Sequence, residues 1–280
     1  MKRYNILLFF ILSYAITWGL AGPAIFLRGW PEIFRLLSFL GPAIAAVLVV
    51  LLAEGAGGVR RLLKTLFIWR VSPLWYLFAM LTPLLLMGGA MLLFQLRNPD
   101  MRAPGWGLFS LLSPGTLLMY AFFTFTNLLL VWGEELGWRG YALPELQARF
   151  HPLLATLIVG LGWGLWHLPT FFTPHAVQSS GTAPVFLLGS VLYSFEYTFL
   201  LNGARRSVLL TSLLHAANNG VLLAVSSSRL LGALVQNTLD VLLILAALDA
   251  ALIVATSGRL LYRKAAEEET PAPAAAVETV

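Results

Sequence analysis

Residues 114–140 read PGTLLMYAFFTFTNLLLVWGEELGWRG. The 20 residues from Pro114 to Gly133 carry no charge. At the α-helical rise they span about 30 Å, the hydrocarbon thickness of a bilayer. The run then meets two adjacent carboxylates, Glu134 and Glu135, with Arg139 four positions after the second. Such a segment belongs to a membrane protein whose interior is not wholly apolar. Seven further apolar runs bounded by charge or by Pro and Gly flank it, so that candidate helices fall at 5–27, 36–53, 74–96, 114–137, 152–172, 185–203, 207–226 and 231–257.

Composition agrees, since 11% of the 280 residues are charged and mean hydropathy is +0.81, against about 25% charged in a soluble domain. The fold class expected is all-α, a polytopic membrane protein with about eight transmembrane helices enclosing a polar cavity. Residues 1–264 form one membrane domain, and 265–280, rich in Ala, Pro and Glu, form a disordered cytoplasmic tail. The first apolar run exceeds the length of a signal-peptide core and is read as an uncleaved span. Between the second and third runs, Arg60, Arg61, Lys64 and Arg70 lie among leucines, which suits a segment on the membrane surface or an ordinary basic loop.

With eight spans, 13 of the 18 basic residues fall on the side of the N-terminus and 5 on the other. That bias puts both termini in the cytoplasm, in a multi-pass protein of the cell (inner) membrane. No basic run exceeds two residues, so the lipid bilayer is the expected partner and nucleic acid is not. The absence of cysteine excludes disulfides, thiolate zinc sites and a cysteine nucleophile.

Charged side chains at the centre of a span cost roughly 2.5–3.5 kcal/mol each on insertion scales and are functional candidates. Here they are Glu134, Glu135, His167, Glu196, His215, Asp240 and Asp249, with the polar Asn219 beside them. On a helix Arg139 lies about 40° from Glu135 but about 140° from Glu134, so a Glu135–Arg139 pair leaves Glu134 free to face elsewhere. His215 and Asn219 share a face, with Asn218 an open alternative. Trp163 sits one turn before His167, and Pro169 implies a kink or helix end beside that histidine. Glu196 is expected to make a structural hydrogen bond, for which Arg205 and Arg206 are available, with a place along a substrate path as the alternative. Asp240 and Asp249 point to opposite sides of their helix and have no assigned role. Singly, each residue has an ordinary reading as a capping charge, an interhelical bond or a core histidine. One difficulty is depth: His167 falls about 22 Å from Pro152, out of reach of Glu134 if the fourth helix stops near the membrane surface.

Three segments together resemble the CPBP family of CAAX prenyl proteases and bacteriocin-processing membrane proteins, also called ABI. Its pattern is Glu-Glu-x-x-x-Arg, then Phe-x-x-x-His, then His-x-x-x-Asn/Asp. The matching positions are Glu134-Glu135-x-x-x-Arg139, Trp163-x-x-x-His167 and His215-x-x-x-Asn219. Trp163 replaces the usual Phe, a departure expected to alter packing more than chemistry. The resemblance implies a membrane endopeptidase similar to type II CAAX prenyl endopeptidases, hydrolysing a peptide or membrane-protein substrate near the membrane surface. It makes Glu134 the general base, supported by Glu135 and Arg139. His167 would help to position the attacking water, and His215 and Asn219 would stabilise the oxyanion. Zinc held by Glu134, His167 and His215 is one form of this chemistry, and metal-free activation of water is the other. The competing classes are a non-catalytic scaffold or bacteriocin-immunity protein of the same fold, and a transporter. His-Glu-x-x-His, Gly-x-Gly-Asp and Gly-x-Ser-x-Gly motifs are all absent.

Overall fold

The computed structural model describes residues 4–27, 29–99, 108–172, 182–227 and 231–263. The tail expected at 265–280 lies outside them. Among the described residues every regular element is helical. In chain order the helices are α1 (Asn5–Ala21), α2 (Glu32–Ser38), α3 (Gly41–Lys64), α4 (Pro73–Arg97), α5 (Leu108–Leu111), α6 (Pro114–Gly137), α7 (Leu143–Gln147), α8 (Pro152–Trp166), α9 (Ala183–Gly203), α10 (Val208–Ser227) and α11 (Leu231–Ala255).

Local chemistry sets the starts. Pro73, Pro114 and Pro152 each open a helix, where a missing N–H costs nothing. The preceding Ser72, Ser113 and His151 side chains accept a hydrogen bond from a first-turn backbone N–H. Several expected boundaries move for equally local reasons. The first helix ends at Ala21, where Pro23 turns the chain into a 3-10 segment. The second run divides, because Gly41-Pro42 begins a new helix after α2. That helix continues past residue 53 through a break at Gly55, whose φ of 68° favours glycine, and its second half carries Arg60, Arg61 and Lys64. This half buries Gly58 and Leu62 and exposes its arginines, an amphipathic helix rather than a loop.

Among the described residues seven helices are long and apolar enough to cross a membrane. The candidate at 152–172 is cut short at Trp166 by Pro169, and at 15 residues α8 falls below that length. Outward faces carry exposed Leu85, Leu118, Phe122 and Leu129, side chains that suit hydrocarbon rather than water. Hydroxyls inside the bundle return to their own helix: Thr156 bonds the Pro152 carbonyl, Ser194 that of Ser190 and Thr198 that of Ser194.

α8 runs parallel to α1, since Tyr14 donates to the Gly162 carbonyl and Trp18 to that of Trp166. Near the start of α8, Leu153 and His151 lie against Gly258. Asn202 at the end of α9 donates to the Leu260 carbonyl, and Arg205 to that of Arg70. Both ends of the described chain therefore lie at one end of the bundle, together with the basic half of α3.

Two Gly-x-x-x-Gly steps set close helix approaches. A Cβ at Gly137 would lie 2.5–2.6 Å from Pro42 atoms, backbone included, and one at Gly133 would lie 2.6 Å from the Phe39 carbonyl. Gly160 meets the Val191 Cα at 2.8 Å, and Gly164 meets Leu187 and Ser190. The first step seats α6 against the start of α3, and the second seats α8 on α9. Gly137→Ala should lower the thermal midpoint in detergent, at a cost of about 1–3 kcal/mol for overpacking. Gly19→Ala, where a Cβ meets nothing within 4 Å, should leave the midpoint unchanged or raise it.

Candidate active site

The fourth apolar run does not stop at Gly137. Residues Trp138–Ala142 form a π-helical turn and α7 continues it, so that one rod runs from Pro114 to Gln147. The wide turn has a local cause: Pro144 has no N–H and its ring would press on the carbonyl one α-turn earlier, and a π-bulge absorbs that conflict. Glu134 therefore lies 13 residues, about 20 Å, before the rod's end. His167 caps α8 about 22 Å beyond Pro152, and Gln147 and Pro152 are joined by a short turn. The two side chains meet at a common depth, which resolves the difficulty posed by the sequence.

Glu134 and Glu135 face different partners. Glu135 is wholly buried, and its Oε1 accepts from Arg139 at 2.9 Å and contacts His215 Nδ1 at 3.0 Å. The i,i+4 pairing expected from helical geometry is thus formed, and it also holds a histidine from α10. Arg139 donates further to Ser194 Oγ at 3.2 Å, and its guanidinium lies 4.5 Å from the ring centres of both Trp163 and Tyr197. Glu134 turns to α8. Its Oε2 accepts from the Trp163 indole at 2.8 Å and lies 3.7 Å from His167 Nε2. That last separation is beyond a direct hydrogen bond and is one that a water can bridge. His167 Nδ1 lies 2.9 Å from the Trp163 carbonyl. A carbonyl only accepts, so Nδ1 carries the hydrogen and Nε2 presents its lone pair towards Glu134.

α10 contributes two adjacent asparagines with different environments. Asn218 is buried and donates to the Tyr197 hydroxyl at 3.1 Å. Asn219, one turn beyond His215, is half-buried and has no hydrogen bond among the described residues. Tyr197 and Ser194 complete the wall from α9, a helix without a motif. Its signal in the sequence is the hydroxyl ladder Ser190, Ser194, Thr198, which marks a polar stripe on an otherwise apolar helix.

Three expectations change. Trp163 does more than pack, because its N–H bonds the Glu134 carboxylate. Glu196 is buried with neither oxygen hydrogen-bonded among the described residues, so the bond expected for it is not made. Arg205 and Arg206 turn away through left-handed backbone angles, and Arg205 binds the Arg70 carbonyl instead. Asp240, which had no role, pairs with Arg97 and ties α11 to α4. Asp249, like Glu196, is buried without a hydrogen bond among the described residues.

With His215 Nδ1 held by Glu135, His167 Nδ1 by a carbonyl and Glu134 Oε2 by Trp163, the atoms left to hold zinc would be the two Nε2 and Glu134 Oε1. Among the described residues no three His, Asp or Glu draw together as a metal would require. The set Glu134, His167 and His215 is not assembled as a ligand sphere in this arrangement. A cleft of about 200 Å³ opens at the basic end of the bundle and reaches Arg139, with Glu54, Arg61, Tyr141 and Arg206 in its wall. It approaches the site from behind, on the Arg139 side rather than that of Glu134.

Residues 115–221 match the Rce1-like family, type II CAAX prenyl endopeptidase. A curated relative described as CAAX prenyl protease 2, from Methanococcus maripaludis, is 33% identical over 88 residues, 29% of this chain and 32% of the relative. The chain thus spans about a third of the length of this relative. The matched family segment runs from α6 into α10 and contains Glu134, Glu135, Arg139, Trp163, His167, His215 and Asn219. The family match and the curated relative make this segment similar to CAAX-type prenyl endopeptidases, and the motif side chains within it converge in the structure.

Proposed function

We propose that the chain is a CAAX-type membrane endopeptidase in which Glu134 and His167 activate water directly. The observation that carries this reading is the placement of Glu134 Oε2 3.7 Å from the lone pair of His167 Nε2, on two different helices. A water between them can donate one hydrogen to each acceptor, which turns its own lone pair outward to a carbonyl carbon. Glu134 takes the proton as the O–C bond forms. Asn219, and His215 in its doubly protonated form with the Nδ1–H held by Glu135, are the donors for the oxyanion, a contribution of about 100- to 1000-fold per donor where measured in other hydrolases. Glu134 then passes its proton to the leaving amine as the C–N bond breaks.

Glu135 has a different task. Bonded to both Arg139 and His215 through one oxygen, it fixes the imidazole and neutralises the guanidinium. A scaffold or immunity protein of the same fold has no need for the 3.7 Å Glu134–His167 approach, and this favours the enzyme. A transporter is disfavoured by the sequestered ion pair. The substrate class proposed, a prenylated CAAX peptide, is taken from the description of the relative as a CAAX prenyl protease.

The described basic residues support the cytoplasmic assignment for both termini. Arg60, Arg61, Lys64, Arg70, Arg149, Arg205, Arg206, Arg259 and Arg263 belong to the end where the described chain starts and finishes, and Arg35 and Arg97 to the other. Arg139, counted above as a loop charge, is buried in the site and leaves that tally.

Adjacent glutamates should respond differently. Glu134→Ala is expected to abolish cleavage of a farnesylated CAAX reporter peptide while the thermal midpoint changes little. Glu135→Ala strands a buried guanidinium and should cost about 3–5 kcal/mol of stability as well as activity. Full cleavage by Glu134→Ala removes the proposed base. The chain has no cysteine, so orientation can be read by labelling single variants: Tyr4→Cys and Arg263→Cys in sealed vesicles should react with an impermeant maleimide from the same, cytoplasmic side.

A further inference from the structure

Among the described residues the Trp163 indole touches both halves of the site. Its N–H meets Glu134 Oε2 at 2.8 Å, and its ring lies under the Arg139 guanidinium at 4.5 Å. Its edge contact with His215 has ring centres 5.3 Å apart, and its backbone carbonyl holds His167 Nδ1. A phenylalanine here would retain the ring face and the carbonyl but not the N–H. The hydrogen bond to Glu134 is therefore a property of this chain's tryptophan.

We propose that Trp163 is a positioning residue for the general base, its indole N–H holding Glu134 Oε2 so that the remaining lone pair of that oxygen faces the attacking water beside His167 Nε2. This rests on Glu134 being that base. Glu134 Oε1 has no hydrogen bond among the described residues. The terminal torsion of a glutamate is broad and roughly two-fold, so an unrestrained carboxylate would spread over orientations that do not serve the water. A neutral donor to an ionised acceptor is among the stronger hydrogen bonds. Because His167 is fixed by the carbonyl of the same residue, one tryptophan sets both the rotation of the carboxylate and the tautomer of the imidazole. The separation between the two acceptors then follows from the α8 backbone.

Two measurements on the full chain in detergent test this. In the first, the nine tryptophans are ¹⁵N-labelled at the indole nitrogen, and the Trp163 signal is identified by its loss in Trp163→Phe. That N–H should resonate at low field and exchange slowly, and should move upfield and exchange faster in Glu134→Ala. The buried Trp166 indole, which has no hydrogen-bond partner among the described residues, serves as the reference and should not respond. In the second, Trp163→Phe should lower kcat for the farnesylated reporter by about 10-fold or more at a KM within about two-fold, as expected when a hydrogen bond to a charged group is lost. An unmoved Trp163 signal in Glu134→Ala overturns the proposal. So does wild-type kcat in Trp163→Phe while Glu134→Ala is inactive. Cleavage retained by Glu134→Ala itself shows instead that the reading of the base has failed, and the role proposed for the indole falls with it.

Discussion

A carboxylate and a guanidinium, neither with exposed side-chain surface, meet at 2.9 Å one turn apart in the interior of an apolar bundle. Removed from water, each charge is costly, and either alone would be intolerable. Glu135 and Arg139 are tolerated because each neutralises the other and because the surplus bonding capacity is used. The arginine extends to Ser194 and lies between the Trp163 and Tyr197 rings, and the carboxylate reaches His215. One ion pair thus draws α6, α8, α9 and α10 to a common point. Because that pair occupies Glu135, its neighbour Glu134 is free to face the opposite direction and serve chemistry.

Depth and proximity come from backbone devices. The π turn at Trp138–Ala142 lets the helix continue past Pro144 and so sinks Glu134 about 20 Å from the rod's end. The glycines at 133 and 137 bring α6 against α3, and those at 160 and 164 bring α8 against α9. These approaches put Trp163 close enough to bond Glu134 across helices. The side chains that do chemistry are few, but the residues without side chains decide whether they can meet.

Much of this was legible in the sequence. Apolar runs bounded by charge, Pro or Gly locate the helices, and 100° geometry separates Glu135 from Glu134. The end of the fourth helix was not legible, because Gly137, Gly140 and Pro144 read as a terminus although the π turn carries the helix past them. The chemistry of Trp163 was hidden for a different reason: a Phe-to-Trp exchange shows the added bulk in one dimension, while the direction of an N–H needs three. Asn218 and Asn219 could be separated only once Tyr197, from a helix with no motif, was seen to take the first.

The claim at the centre is that Glu134 and His167 activate water themselves. The most direct measurement is metal content of the purified protein together with cleavage of the farnesylated reporter before and after exhaustive chelation. The expected result is substoichiometric metal and an unchanged rate. One tightly held zinc per chain, with activity lost on chelation and restored by zinc, would contradict it.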